Sequence, residues 1–191
     1  MSGDELALRL RAATREPHHR LDHHALLAPL LRPTLNVADY ACSLSALYAA
    51  QSTLEHLVCG FAPQSTFPPR AAQLRADLDD LGRAPQPLRA TPPQASDDAQ
   101  RIGLMYVLEG SLRGASLIAR LLDASLPRQV PRRFYRDDQP PQRWPAFWTL
   151  AAARAQHADI AGIERSAVAA LRFFAEHLDG CLGSASEPAC A

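Results

Sequence analysis

The spacing of apolar residues is the feature that most restricts what this chain can fold into. Leucine and alanine dominate, β-branched residues are sparse, and apolar positions recur at intervals of three and four rather than two. This period places apolar side chains on one face of an α-helix, whereas strict alternation would indicate a strand. The chain is therefore predicted to be all-α. At 191 residues it can bury the core of a single domain without disulfides or a structural metal.

Proline-rich stretches set the expected limits of the helices. Loops are predicted at FAPQSTFPP, RAPQPLRATPPQAS and LPRQVPRRFYRDDQPPQRWP, because proline lacks the amide hydrogen that a helix interior needs. Ser96 is the expected N-cap of the long apolar helix near 97–123. We expect residues 1–180 to form one helical domain and residues 181–191 to be a disordered tail. The predicted helices are about 4–31, 36–60, 68–82, 97–123, 145–158 and 160–179.

The charge balance argues against several classes of partner. The 20 basic residues, all of them arginine, balance 20 acidic ones, so no overall field favours nucleic acid or an anionic membrane. The apolar runs fall short of the roughly 18 residues that span a bilayer, and MSGDELALRL lacks the apolar core of a signal peptide. We therefore expect a cytoplasmic protein in which any anion specificity comes from local arginines.

The segment REPHHRLDHH carries four histidines and one aspartate within seven positions. On a helical wheel, His18 lies at the edge of the core stripe and is expected to be half-buried. Arg11, Thr14, Arg15 and Asp22 fall on the same side. A histidine beside arginines suits an axial ligand of a metal that an anionic cofactor carries. The core stripe itself comprises Leu6, Leu10, Ala13, Pro17 and Leu21.

The other histidines of this segment are expected to face solvent. His19 and His23 are spaced i and i+4 and could hold zinc or nickel, but two ligands alone make a weak site. A solvated histidine-rich patch is the commoner explanation for His19, His23 and His24. Pro17 can kink the helix just before His18 and so change the direction of the side chains beyond it.

The predicted fourth helix has three glycines on one face, namely Gly103, Gly110 and Gly114. Each glycine in a helix interior costs roughly 0.5–1 kcal/mol relative to alanine, so the stripe needs a reason. Either another helix or a flat ligand approaches the bare backbone. Together with His18 and its arginines, the glycine face would accommodate a planar anionic metallocofactor, for which haem is the obvious candidate.

These residues resemble the haem oxygenase family. LRAATREPHHRLD is similar to the proximal motif of the family, and IGLMYVLEGSLRGASLI is similar to its distal-helix motif. Weaker similarity in LRADLDDLG, RWPAFW and AALRFF extends the resemblance over most of residues 6–178. The sequence YVLEGS looks closest to the bacterial branch associated with bacteriophytochromes. The resemblance implies a single-domain multi-helix fold in which haem is sandwiched between a proximal helix and a glycine-kinked distal helix.

The resemblance also implies an activity. Haem b is both substrate and cofactor, and O2 and electrons from an external reductase or ferredoxin convert it to biliverdin, CO and Fe2+. No flavin or iron–sulfur motif is present, so a separate protein must donate the electrons. A bacteriophytochrome is a possible acceptor of the biliverdin. His18 is implied as the iron ligand, the catalytic residues as Gly110, Ser111 and Gly114, and the other haem-binding residues as Arg11, Arg15, Thr14, Tyr106, Val107, Arg165 and Arg172.

Three positions depart from the family pattern. Ser111 stands where many members carry an aspartate, and Ala115 replaces the second glycine of a pair. Arg113 replaces an apolar residue, and the helical wheel predicts that it faces away from haem. With Pro17, these departures leave open a haem-binding or haem-transfer protein without efficient turnover. A relative that has lost haem is a third alternative, but the retained histidine, arginines and glycine face argue against it.

Overall fold

The computed structural model describes residues 3–136 and 140–184, and these ranges contain helices and no strand. The all-α single-domain prediction is confirmed. Three short 3₁₀ helices, Ala28–Leu31, Arg133–Tyr135 and Ala155–His157, interrupt the connections. The α-helices are α1 (Gly3–Asp22), α2 (Val37–Leu57), α3 (Ala71–Asp80), α4 (Asp98–Ser125), α5 (Arg143–Arg154) and α6 (Ile160–Ser184).

Helix α1 ends at Asp22, nine residues before the predicted end near Leu31. Pro29 would clash with the carbonyl of the preceding turn inside a continuing helix, and it lies instead in the first turn of the 3₁₀ helix Ala28–Leu31. The intervening turn is held by His24, whose Nδ1 accepts a hydrogen bond from the Leu26 amide at 3.2 Å. The chain therefore turns directly after the histidine segment.

The C-terminal boundary also differs from the prediction. Helix α6 continues to Ser184, so residues 181–184 belong to the helix and not to a tail. Cys181 is buried against the core, which explains why the helix extends beyond residue 180. Residues 185–191 of the predicted tail lie outside the described residues.

Polar side chains cap the starts of α2 and α4, and a glycine follows the end of α3. The Asn36 side chain accepts from the Asp39 amide at the start of α2. Asp97, not the predicted Ser96, caps α4 by accepting from the Gln100 amide at 2.8 Å. Gly82 ends α3 close to the predicted position, with a φ of +62° that allows the Arg83 amide to reach back to Leu78 O at 2.9 Å.

Helix α4 is the central element of the fold. It packs most extensively against α6 and also contacts α5 and α2, while α1 packs on α6. By length and composition α4 is apolar enough to cross a membrane, the one such helix in the described ranges, but here it is the core helix of the domain. This arrangement leaves a stretch of α4 facing α1 across a space that no helix fills.

Two acidic side chains, one buried and one half-buried, position the segments around that space. Asp77 on α3 is fully buried, and its two oxygens accept from the amides of Arg133 and Phe134 at 3.0 and 2.9 Å. This pairing caps the 3₁₀ helix Arg133–Tyr135. The carboxylate of Glu55 accepts from the Arg70 and Ala71 amides at the start of α3. Both contacts hold cavity-lining residues in place.

Candidate functional site

A cavity of about 680 Å³ lies between the C-terminal half of α1 and the middle of α4. It falls within the range of about 300–1,000 Å³ that is usual for small-molecule sites. Helices α2, α5 and α6, the 3₁₀ helices Ala28–Leu31 and Arg133–Tyr135, and Arg70 just before α3 supply the remaining walls. The lining is predominantly apolar, with leucines and aromatic rings interrupted by a few polar groups that converge from different helices.

His18 lines this cavity from α1, and its imidazole is oriented by the next turn of the same helix. The Nδ1 atom lies 3.0 Å from Asp22 Oδ2, and because a carboxylate accepts, Nδ1 donates. The Nε2 atom is thereby left as the nitrogen with a free lone pair, which is the form that binds a metal. The side chain is 59% exposed and not half-buried as predicted, because the cavity opens to solvent beside it.

The neighbouring histidines do not join this site. His19 and His23 stack on each other with ring centroids 4.2 Å apart, and His23 Nδ1 donates a hydrogen bond to His19 O. Among the described residues, no group of three side chains is arranged to hold a metal ion. The prediction that His24 is solvated is wrong: it is buried, and its Nε2 donates to Asp179 on α6 at 3.2 Å. His24 fastens the end of α1 to α6.

The glycine stripe of α4 serves two purposes along its length. A Cβ added at Gly103 would lie 2.6 Å from the Ile163 carbonyl oxygen and 2.7 Å from the Ala167 amide, so this glycine permits the close crossing with α6. Gly110 and Gly114 line the cavity instead. A Cβ at Gly110 would meet only Trp144, at 3.9 Å, and one at Gly114 would meet nothing within 4 Å. The two later glycines therefore present bare backbone to the cavity.

Four other predicted site residues also lie in the cavity wall, namely Thr14, Tyr106, Val107 and Ser111. The hydroxyls of Thr14 and Ser111 donate to their own helix, at Leu10 O and Leu108 O, both at 2.7 Å. Each hydroxyl oxygen keeps a lone pair with which it can accept from water. The Tyr106 ring packs against a cluster of aromatic rings that α5 contributes: Trp144, Phe147 and Trp148.

The predicted arginines separate into two groups. Arg11 lines the cavity, whereas Arg15 is exposed outside its lining. Arg165 and Arg172 lie on a different face of α6, in a separate groove, and Arg165 pairs with Asp159 at 2.7 Å. Their expected role beside His18 is therefore not supported by their position, because residues 171 and 174 are the ones that α6 turns towards the cavity.

Arg113 contradicts the helical-wheel prediction. It was expected to face away from the glycine stripe, but it lines the cavity, with its guanidinium carbon 5.6 Å from the centroid of Trp144. A long flexible side chain can bend towards a neighbouring surface that its Cβ does not point at. The wheel describes Cβ directions only, which explains the error.

One wall of the cavity was not anticipated from sequence. Arg70 is buried there, donates to Phe134 O at 2.5 Å and lies 4.2 Å over the Phe134 ring. Its Nε–H has no hydrogen-bond partner among the described residues. Burial lowers the pKa of Arg70 to about 10, so it remains a cation at neutral pH. Burial also raises the pKa of the neighbouring Tyr135. No motif surrounds these residues, and only their burial in the fold reveals them.

The cavity suits a flat, anionic molecule that carries a metal. One wall offers an imidazole with a free nitrogen, and the facing wall offers the backbone of Gly110 and Gly114. The cationic side chains of Arg11 and Arg113 line the same space. Haem matches each of these features in shape, charge and metal preference.

Comparison with known proteins agrees with this geometry. The family model described as "Heme oxygenase" matches residues 4–179. A curated heme oxygenase from Xanthomonas campestris pv. campestris (strain 8004) is 34% identical over 122 residues, which cover 62% of this chain and 70% of the relative.

Two solved structures share the fold. The NO- and CO-bound heme oxygenase from Neisseria meningitidis superposes with a TM-score of 0.72 at 23% identity, covering 97% of this chain and 94% of that one. Heme oxygenase-1 from the cyanobacterium Synechocystis sp. PCC6803 in complex with heme gives 0.62 at 17% identity, covering 93% and 91%. With the family model spanning nearly the whole described chain, the protein belongs to the haem oxygenase family.

Proposed function

We propose that this protein cleaves haem b to biliverdin, with release of CO and Fe2+, using O2 and electrons from an external reductase or ferredoxin. The observation that carries the proposal is the placement of His18 and the Gly110–Gly114 backbone on facing walls of one cavity. Bound haem supplies the iron at which O2 is reduced and is itself the molecule that is oxidised.

His18 would hold the iron through Nε2, and Asp22 would fix the ring by accepting from Nδ1. The hydrogen bond sets the tautomer before haem arrives, and a carboxylate partner raises the basicity of the ligand. A neutral imidazole avoids the strong electron donation of a thiolate, which favours O–O cleavage in other haem enzymes. The proximal side is therefore organised by two side chains one helical turn apart.

Gly110 and Gly114 would let the backbone of α4 approach the opposite haem face. A bulkier side chain would occupy the space in which O2 has to bind. Ser111 donates its hydroxyl hydrogen to Leu108 O, so its oxygen can only accept, for example from a water molecule next to the haem. Tyr106 and Val107 would form the apolar part of this wall, and Thr14 would flank His18.

The biological setting belongs to the same proposal. The proposed enzyme is cytoplasmic and belongs to the bacteriophytochrome-associated branch, which the YVLEGS motif supports, with a bacteriophytochrome as one acceptor of the product. No flavin or iron–sulfur motif is present in the sequence, which supports a separate electron donor.

A haem carrier is the second candidate, and one observation favours it. Asp22 is the only carboxylate among the described lining residues, and it lies on the His18 side, so the glycine wall has no acidic group to deliver protons. A carrier would bind haem through the same residues and release it intact.

Single-turnover oxidation distinguishes the two candidates. The purified protein is loaded with one equivalent of haemin, and ascorbate or a ferredoxin with its reductase is added under air. We expect loss of the haem absorption, growth of a biliverdin band, CO detectable with ferrous myoglobin, and iron available to a chelator. Haem absorption that persists under reduction, with the protein still binding haemin through His18, would instead establish the carrier.

A further inference from the structure

A carboxylate on α6 holds the end of α1 at two points. Asp179 Oδ2 accepts from Arg20 Nη2 at 2.7 Å, and Asp179 Oδ1 accepts from His24 Nε2 at 3.2 Å. Arg20 lies in the last turn of α1, and His24 lies just after the helix. The Leu26 amide donates to His24 Nδ1 at 3.2 Å, so Nε2 is the nitrogen that carries the proton. Asp179 therefore bridges the helix and the turn that follows it.

His18 depends on α1 for its position. Its side chain is largely exposed, and its bond to Asp22 joins it to the next turn of the same helix and not to another helix. Pro17 has no amide hydrogen, so the turn before His18 lacks the hydrogen bond to Ala13 O that a regular helix would have. The backbone that carries His18 is therefore held less firmly by α1 itself, and contacts of this segment with other helices matter more.

A second ion pair joins the same two helices but lies far from His18 along α1. Arg9 Nε donates to Glu164 Oε1 at 2.5 Å, and Arg9 Nη2 donates to Glu164 Oε2 at 3.2 Å. This pair ties the first half of α1 to the start of α6. The contacts of Asp179 tie the other end of α1 to the last part of α6, and the imidazole of His24 is buried there. Two carboxylates of α6 thus hold opposite ends of α1, and one of them adjoins the iron ligand.

We propose that Asp179 is a positioning residue for the iron ligand, because it holds the backbone beyond His18 against α6. The inference rests on the proposed function in one respect, namely that haem binds through His18. Groups that do not touch a metal control it by orienting its ligands. Asp22 orients the imidazole ring, and Asp179 holds the segment that carries both His18 and Asp22. Without Asp179, Nε2 would approach the iron from a wider range of directions, and the bond would weaken.

Resonance Raman spectroscopy of the ferrous haem complex tests this assignment, because the frequency of the iron–histidine stretch reports the bond between iron and the His18 ring. We expect Asp179→Ala to lower or broaden this band. Glu164→Ala is the matched control, because it removes the other ion pair between α1 and α6 and should leave the band as in the wild type. Asp179→Glu keeps the negative charge and should retain most of the wild-type signal.

Transfer of haemin to excess apomyoglobin gives a second readout. Haemin should leave Asp179→Ala roughly tenfold faster than the wild type, at the lower end of the effect that ligand-orienting groups have on metal affinity. The rate should be unchanged in Glu164→Ala. Urea unfolding of the apo proteins checks that both variants fold. If the alanine variant is unfolded, Asp179→Asn, which keeps an oxygen acceptor for His24 but lacks the charge, is measured in its place.

The inference is overturned if the Asp179 variants keep the wild-type band and release rate. It is also overturned if Glu164→Ala changes both readouts equally, since the general packing of α1 on α6 would then be responsible. Neither readout requires turnover, so a protein that binds haemin through His18 and forms no biliverdin would contradict the proposed function alone. Haemin that binds without His18 would contradict both.

Discussion

The ion pair between Glu109 and Arg143 is a buried contact through which a single residue should strongly affect stability. Both side chains are buried, and the guanidinium donates to the two carboxylate oxygens at 2.6 and 2.8 Å, joining α4 to the first turn of α5. Removing the Glu109 carboxylate takes away the two charge-assisted hydrogen bonds that it accepts from the buried guanidinium. Glu109→Leu should therefore lower the free energy of unfolding in urea by about 3–5 kcal/mol.

The double variant Glu109→Leu/Arg143→Met is the matched control. Because it removes both charges together, it should unfold at a higher urea concentration than Glu109→Leu alone. A double variant that is less stable than the single one would show that the contacts of Arg143 outside the pair, such as its bond to Pro68 O, dominate.

His177 makes stability dependent on pH. It is fully buried on α6, with Nε2 donating to Ala46 O at 2.8 Å and Nδ1 accepting from the Arg89 amide at 3.0 Å. Burial, opposed in part by the Ala46 carbonyl, lowers its pKa below the ordinary 6.5. Below about pH 6.5 the imidazole of His177 binds a proton more readily in the unfolded chain than in the folded one. Stability therefore falls as the pH drops through this range.

Denaturant titrations between pH 7.5 and 5 measure this slope. His177→Gln keeps an acceptor and a donor but cannot titrate, so its stability should depend less on pH than that of the wild type. His56→Gln removes an exposed imidazole and serves as the control. An unchanged slope in His177→Gln would contradict the assignment.

The positions of single residues were predictable from sequence where the residues belong to a short motif. They were not predictable where tertiary contacts determine the side-chain position. His18, Gly110 and Gly114 line the cavity as their spacing indicated. His24 and Arg113 were misplaced, because Asp179 lies 155 residues from His24 and Trp144 lies on another helix. Contacts of that kind leave no local pattern in the chain.

At the scale of elements, the glycines of α4 provide a comparison within one helix. Gly103→Ala should lower the free energy of unfolding by about 1–3 kcal/mol, because its methyl group would meet backbone atoms of α6 at 2.6 Å. Gly114→Ala meets nothing within 4 Å and should raise stability by about 0.5–1 kcal/mol while weakening haemin binding. Urea unfolding of the apo protein and haemin titration measure the two effects. Equal destabilisation by both variants would contradict the assignment of Gly103 to helix packing and of Gly114 to the cavity wall.

The helices themselves were largely predictable, since the period of their apolar residues and the prolines between them are local properties of the sequence. The clearest failure is α1, where a pattern that continues to Leu31 hides a turn after Asp22. That turn depends on Pro29 and on the contacts of His24. The proline is visible in the sequence, whereas the contacts of His24 form only in the folded protein. Its consequence is functional, because the turn ends α1 one helical turn beyond His18.

At the scale of the whole molecule, the packing of α4 against α6 leaves the second half of α4 free to face α1, and the cavity is the result. The ligand wall therefore comes from the same helix that forms the core. Sequence predicted the two facing helices, but not the back wall of Arg70 and Tyr135, which the buried carboxylate of Asp77 helps to position through the segment it caps.

The most direct test of the account is an absorption titration of the apo protein with haemin. We expect one equivalent to bind with a Soret band that is altered in His18→Ala and restored there by added imidazole, while His19→Ala and His23→Ala match the wild type. A His18→Ala spectrum and affinity identical to those of the wild type, or loss of the band on changing His19 or His23, would contradict the assignment of His18 as the single iron ligand.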